Sequence, residues 1–173
     1  HEAVSYAAMH DIDVIITDHH HAPDTLPDAY AIINPQVAGE TYPFRLLSGT
    51  GVAFKLASAV VARQAPERVS QLKWLLDVVC VGTVADCVPL VGENRALVHY
   101  GLYVLNKTRR EGYRQLCAVG RFMRDGAPLR AETVGYYLAP RINAAGRMRH
   151  ARDAFALLRE THASAAYTKA QAL

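Results

Sequence analysis

The sequence predicts an α/β unit, a short parallel sheet flanked by helices with a helix-rich second half, and three observations carry that reading. Two short apolar runs rich in β-branched residues, 14–17 and 30–33, read as strands. The polar, Pro-containing stretch between them is long, which fits an α/β connection. Beyond Val52 the apolar residues recur mostly at helical spacing, with Gly and Pro between the segments.

In chain order, Ala3, Val4, Ala7 and Ala8 share one face of a helix over residues 2–10, and residues 13–17 follow as a short buried strand. A loop over 18–27 leads to the second strand, closed by the turn signal Asn34-Pro35. Ser48-Gly49-Thr50-Gly51 punctuates the chain before a helix over 52–62, and Pro66-Glu67 opens another that takes in Leu72, Leu75, Leu76, Val79 and Cys80. A loop with Asp86, Pro89 and Gly92 comes next, then helices over 94–106, 113–123 and 131–138, separated by Gly112, Gly126 and Pro128. Residues 151–173 carry Ala154, Leu157, Leu158, Ala165 and Ala166 at helical spacing and read as one long helix, of a kind that often bridges to another unit. The chain opens on His1 and stops inside this Ala-rich stretch, so both ends read as cut from something longer.

Composition bounds the function classes. With 51% hydrophobic and 20% charged residues over 173 positions, the chain can bury one core. A net charge of +3 neither requires nor repels a polyanion. The three cysteines, Cys80, Cys87 and Cys117, leave one over in any disulfide scheme and lack zinc-site spacing, which points to reduced thiols with packing roles in a cytoplasmic protein. There is no apolar run of the roughly 18 residues a membrane helix needs, and residues 1–10 have neither the basic flank nor the apolar stretch of a signal peptide.

Three segments carry chemistry. Asp18-His19-His20 follows a strand directly, and in an open parallel sheet ligands gather at the carboxyl ends of strands. Its oxygen and imidazole donors suit manganese, zinc or iron better than a pure magnesium cage, although a solvated His-rich loop has the same sequence. Asp86 sits alone in the apolar and small-residue run 81–90, where a buried charge needs a metal, a helix N-terminus or other backbone donors. Arg141, Asn143 and Arg147 lie among small residues in Pro-Arg-Ile-Asn-Ala-Ala-Gly-Arg and could grip phosphate oxygens, the plainer reading being a turn with exposed arginines.

Taken in order, Val14-Ile15-Ile16-Thr17-Asp18-His19-His20, Ile32-Ile33-Asn34-Pro35-Gln36, Ser48-Gly49-Thr50-Gly51-Val52-Ala53-Phe54-Lys55, the run 81–90 with Glu93-Asn94-Arg95, and the block 139–148 resemble the DHH phosphoesterase family. The last block resembles its RecJ-like group of single-strand-specific DNA exonucleases rather than its pyrophosphatases. The resemblance spans nearly the whole chain. It implies a 5′ to 3′ exonuclease of DNA repair and recombination that hydrolyses phosphodiester bonds with two Mn2+ or Mg2+ ions. His19 would be a metal ligand, Asp86 would bind or bridge the ions, His20 would lie beside the scissile phosphate, and Asp18 would orient the loop or the imidazoles. Residues 1–150 would be a partial DHH domain, and 151–173 the start of the helix leading to a DHHA1-type domain.

The resemblance also implies upstream aspartate motifs ahead of His1, for which Asp11 and Asp13 are no substitute. The segment alone is therefore expected to be inactive and a poor binder of two metals. Single-stranded DNA is the expected partner, with unspecified repair or replication proteins and no membrane. A non-catalytic scaffold of a replication complex, or a small-molecule or oligonucleotide phosphoesterase of the same family, are the competing readings. Retention of Asp18, His19, His20 and Asp86 weighs against the scaffold.

Overall fold

A computed structural model describes residues 1–123, 126–148 and 150–173. The chain begins with helix α1 (Glu2–Ala8), then strands β1 (Ile15–Thr17) and β2 (Ala31–Ile33). The strands pair in parallel, with Ile15 opposite Ala31, Ile16 opposite Ile32 and Thr17 opposite Ile33. Parallel neighbours need a crossover of about a dozen residues, and the segment 18–30 supplies it without a helix. Both strands therefore end on the same edge.

The expected parallel sheet is present, but its first strand is not buried. Ile15 is 57% exposed, and α1 contributes no buried residue to cover it. Two strands of three residues make too narrow a sheet to close off their apolar side chains, although α2 touches β1.

The core lies instead in the helical half. Helix α2 (Gly49–Gln64) runs into a 3₁₀-helix (Pro66–Leu75) and then α3 (Leu76–Ala85), so the single helix expected from Pro66 is two segments of different pitch. Helices α4 (Gly92–Leu105) and α5 (Glu111–Gly120) follow. Next come α6 (Ala131–Thr133), a π-helical turn (Val134–Leu138) and α7 (Ala139–Met148), which join end to end. The block around Arg141, for which a turn is the plainer of two readings, is thus helical. Leu105, Tyr113, Leu116, Val134, Leu138 and Leu157 are among the side chains that close the core, drawn from α4, α5, the π turn and the C-terminal helices.

Residues 151–173 form two helices, α8 (Ala151–Leu158) and α9 (Ala163–Ala172), in place of the expected single long one. The break has a local cause. Glu160 Oε1 accepts the backbone N–H groups of Thr161, at 2.9 Å, and His162, at 3.0 Å, which turns the chain and restarts the helix. Ala166 and Ala170 of α9 are fully buried in the same core as α5.

The cysteines are free, as expected, but only two pack: Cys80 and Cys117 are buried, whereas Cys87 is exposed. It follows Asp86 in the loop after α3, with φ of 57°, a left-handed turn that aims it away from the core. No helix among the described residues is long and apolar enough to cross a membrane.

Candidate metal centre and its adjoining groove

The sheet edge at which β1 and β2 end is where the first motif sits. Asp18 N–H donates to Ile33 O at 3.1 Å, extending the ladder by one bond and fixing the start of the loop. The Asp18 carboxylate then folds the loop on itself. Its Oδ1 accepts the N–H groups of His19 at 2.7 Å and His20 at 3.2 Å, and lies 2.7 Å from His20 Nδ1. Burial works to raise the Asp18 carboxyl, but the bond to the His20 ring and the two backbone donors outweigh it and hold it below the usual carboxylate range. Asp18, His19 and His20 each offer one ligand atom within 4.8 Å of the others.

Asp86 reaches the same place from 67 positions further along the chain (86 − 19). It occupies the C-cap of α3, and its Oδ2 lies 3.2 Å from His19 Nε2. The same oxygen accepts Gly49 N–H at 3.4 Å, at the first turn of α2. The positive end of a 16-residue helix favours a carboxylate there. Asp86 thus has one of the partners its apolar setting called for, a helix N-terminus, and the His19 imidazole besides.

The two loops meet because α2 and α3 are pinned at this end. Ser48, buried, caps α2 through Gly51 N–H at 3.0 Å and shares a 2.8 Å bond with Thr83 of α3. A Cβ on Gly82 would overlap Thr50 Oγ1, and one on Gly49 would fall 3.1 Å from the His19 ring. These glycines set the approach of α3 to α2 and of His19 to α2. Buried Asn34, just past β2, donates to His20 O at 2.9 Å while its Oδ1 accepts Gln36 N–H at 2.9 Å, which ties the two strand ends together. Glu93 is locked in turn by Tyr42 Oη at 2.8 Å and by Lys55. Asn34, Gly49 and Gly82 are positioning residues that the sequence reading did not single out. Asn34 and Gly49 stood inside motif blocks, and Gly82 stood in the run 81–90 that carries Asp86, which is the one signal that could have flagged them.

The donor set fits a metal ion. Two ligands about 2.1 Å from one ion, and roughly at right angles across it, stand about 3 Å apart. The His19–Asp86 separation of 3.2 Å matches that spacing.

The arginine block divides. Asn143 and Arg147, four residues apart on α7, line a groove of about 620 Å³ whose other wall includes Ala85 and Cys87, the neighbours of Asp86. Arg141, two residues before Asn143, faces another way, its guanidinium carbon 5.4 Å from the Phe122 ring centroid. Sequence reasoning grouped the three; the helix separates them.

Residues 1–83 match the model of the DHH family, N-terminal domain. The single-stranded-DNA-specific exonuclease RecJ of Bacillus subtilis (strain 168) is 46% identical over 147 residues, which cover 85% of this chain and 18% of that protein. The protein of the same name from Escherichia coli (strain K12) is 40% identical over 157 residues, 86% of this chain and 27% of its own length. The chain therefore spans about a fifth to a quarter of these curated relatives. A crystal structure of exonuclease RecJ bound to manganese superposes with a TM-score of 0.83 at 33% identity, over 99% of this chain and 42% of that one. RecJ from Thermus thermophilus in complex with Mn2+ gives 0.81 at 31% identity, over 99% of this chain and 25% of that one. Sequence, fold and the meeting of the Asp-His-His loop with Asp86 agree, and the chain belongs to the DHH family as a RecJ-like segment of its catalytic region.

Proposed function

We propose that this chain supplies part of the active centre of a metal-dependent single-strand-specific DNA exonuclease, with 5′ to 3′ polarity taken from the resemblance. The observation that carries the proposal is the approach of His19 Nε2 to Asp86 Oδ2 at 3.2 Å, between loops 67 positions apart in the chain (86 − 19). In this reading His19 and Asp86 hold Mn2+ or Mg2+, the ions present in the solved RecJ relatives. Paired cations supply a hydroxide near neutral pH and offset charge on the attacking and leaving oxygens.

The chain's own residues do the rest. Asp18 fixes the loop and the His20 ring, leaving that imidazole at the rim, where a scissile phosphate can be met. Asn143 and Arg147 stand along the adjoining groove, where an amide and a guanidinium suit the sugar–phosphate of a single strand. Arg141, held over Phe122, is left out of that role.

The test is Mn2+ binding and hydrolysis of a 5′-phosphorylated single strand by the longer protein that contains this segment, compared with Asp86→Ala. Loss of Mn2+ affinity together with a rate drop that saturating DNA does not restore is expected. Parental rate and affinity in the variant would overturn the reading.

A further inference from the structure

The groove beside Asp86 has a feature that phosphate contacts alone do not use. Tyr136, in the π turn, lines it and is 78% exposed, a large ring left bare a short way from a candidate metal centre. Its neighbour Tyr137 is engaged on the other face, where its ring lies 6.0 Å from Phe122, the ring that also carries Arg141. Tyr136 has no such aromatic partner among the described residues. The two tyrosines are consecutive in the π turn, and neighbouring residues of a helical turn do not share a face, so their rings diverge. Tyr136, Asn143 and Arg147 thereby share one wall, with Val84, Leu90 and Ala139 adding apolar surface.

A flat aromatic face, an apolar floor, an amide and a guanidinium, all next to the residues flanking Asp86, match the parts of one nucleotide. The volume of about 620 Å³ is sufficient for one. We propose that this groove seats a nucleobase of a single strand next to the metal centre, and that Tyr136 is the surface on which the base stacks. Stacking uses the π face that every base has, so it holds a strand without reading its sequence. Arg147 offers a cation to the backbone while Glu132 lines the same groove, so it is the bare Tyr136 ring beside the candidate metal centre, and not net charge, that favours a nucleobase there. The proposal rests on the reading of this centre as a phosphodiesterase acting on single strands.

Cys87 on the facing wall is a built-in reporter. It is exposed, whereas burial pushes the Cys80 thiol up to about 12 and the Cys117 thiol up to about 11, so of the three cysteines of this chain alkylation near pH 8 reads Cys87, followed by mass spectrometry of its peptide. The alkylation rate of Cys87 is measured at fixed pH and Mn2+ against increasing 5′-phosphorylated oligo-dT. An otherwise identical strand with abasic sites at its first positions is run in parallel. The strand is expected to slow alkylation in the unsubstituted protein and in Tyr136→Phe. Tyr136→Ala, checked for native circular dichroism, and the abasic strand should each raise the half-protecting concentration by roughly five-fold or more, the range of a lost base–aromatic stack. Equal protection by both strands, or in Tyr136→Ala, overturns the proposal, as does the absence of any protection. Mn2+ affinity in Tyr136→Ala should equal that of the unsubstituted protein, so failure of the stacking role is separable from failure of the metal centre, which Asp86→Ala reports.

Discussion

At the scale of single residues, the candidate centre was legible where chemistry was concentrated and hidden where it was relational. Asp18, His19 and His20 stand out because polar donors directly follow a strand, and Asp86 because an acid interrupts an apolar run. Asn34 shows what stays hidden. Its amide joins the end of β2 to the loop after β1, and only the pairing of the strands reveals that the two are neighbours. Such a residue holds the ligand-bearing loop without touching a metal, and losing an outer support of this kind typically weakens metal affinity by roughly 10–100-fold. Asn34→Ala is accordingly expected to lower Mn2+ affinity within that range while the far-ultraviolet circular dichroism stays native. A manganese electron paramagnetic resonance titration checks it, and unchanged affinity would show that the loop is held without Asn34.

At the scale of elements, hydrophobic period and punctuation located the helices but not their phase. The spacing in 131–148 is helical throughout, and within α7 residues two apart face different ways while residues four apart share a face, so Arg141 separates from Asn143 and Arg147. The break in 151–173 escaped for a similar reason: it is made by the Glu160 carboxylate capping the next turn, with no Gly or Pro to announce it. Glycine inside a helix also has a meaning that the sequence alone does not give. Gly101 of α4 faces α3, and a Cβ there would overlap Cys80 Cβ and lie 2.5 Å from Leu76 O. Ala is better than Gly in a helix interior by about 0.5–1 kcal/mol. Overpacking against a neighbouring backbone costs about 1–3 kcal/mol, so the clash wins. Gly101→Ala should therefore lower the urea midpoint of unfolding, and a raised midpoint would mean that α3 and α4 can slide apart.

At the scale of the whole molecule, the exposed two-stranded sheet and the buried helical core divide the chain unequally. The loops that carry Asp18, His19 and Asp86 stand at the junction between the two, while much of the stabilising burial lies in α3, α4, α5, the π turn, α8 and α9. The last of these is fastened to the body by a polar clasp as well as by Ala166 and Ala170. Glu160 accepts the bonds that restart the helix, and it also pairs with Lys169 of α9 and with His162. The Lys169 hydrogen bond, followed by the bonds from His162 and Thr161, brings the Glu160 carboxyl down to about 2 from its ordinary 4.5. A carboxyl depressed in the folded state stabilises the fold fully above its unfolded value and loses that contribution as pH falls through its folded value. The clasp should thus hold at neutral pH, weaken below about 4.5 and be gone near 2. Glu160→Gln removes the charge at every pH, so its Tm should fall below that of the unsubstituted chain at pH 7, and the gap should close as the two are titrated toward pH 2. Thermal melts of both proteins across that range decide the matter: the absence of a gap at pH 7 would mean that Glu160 acts through its backbone hydrogen bonds alone, which glutamine can also accept, and not through its charge.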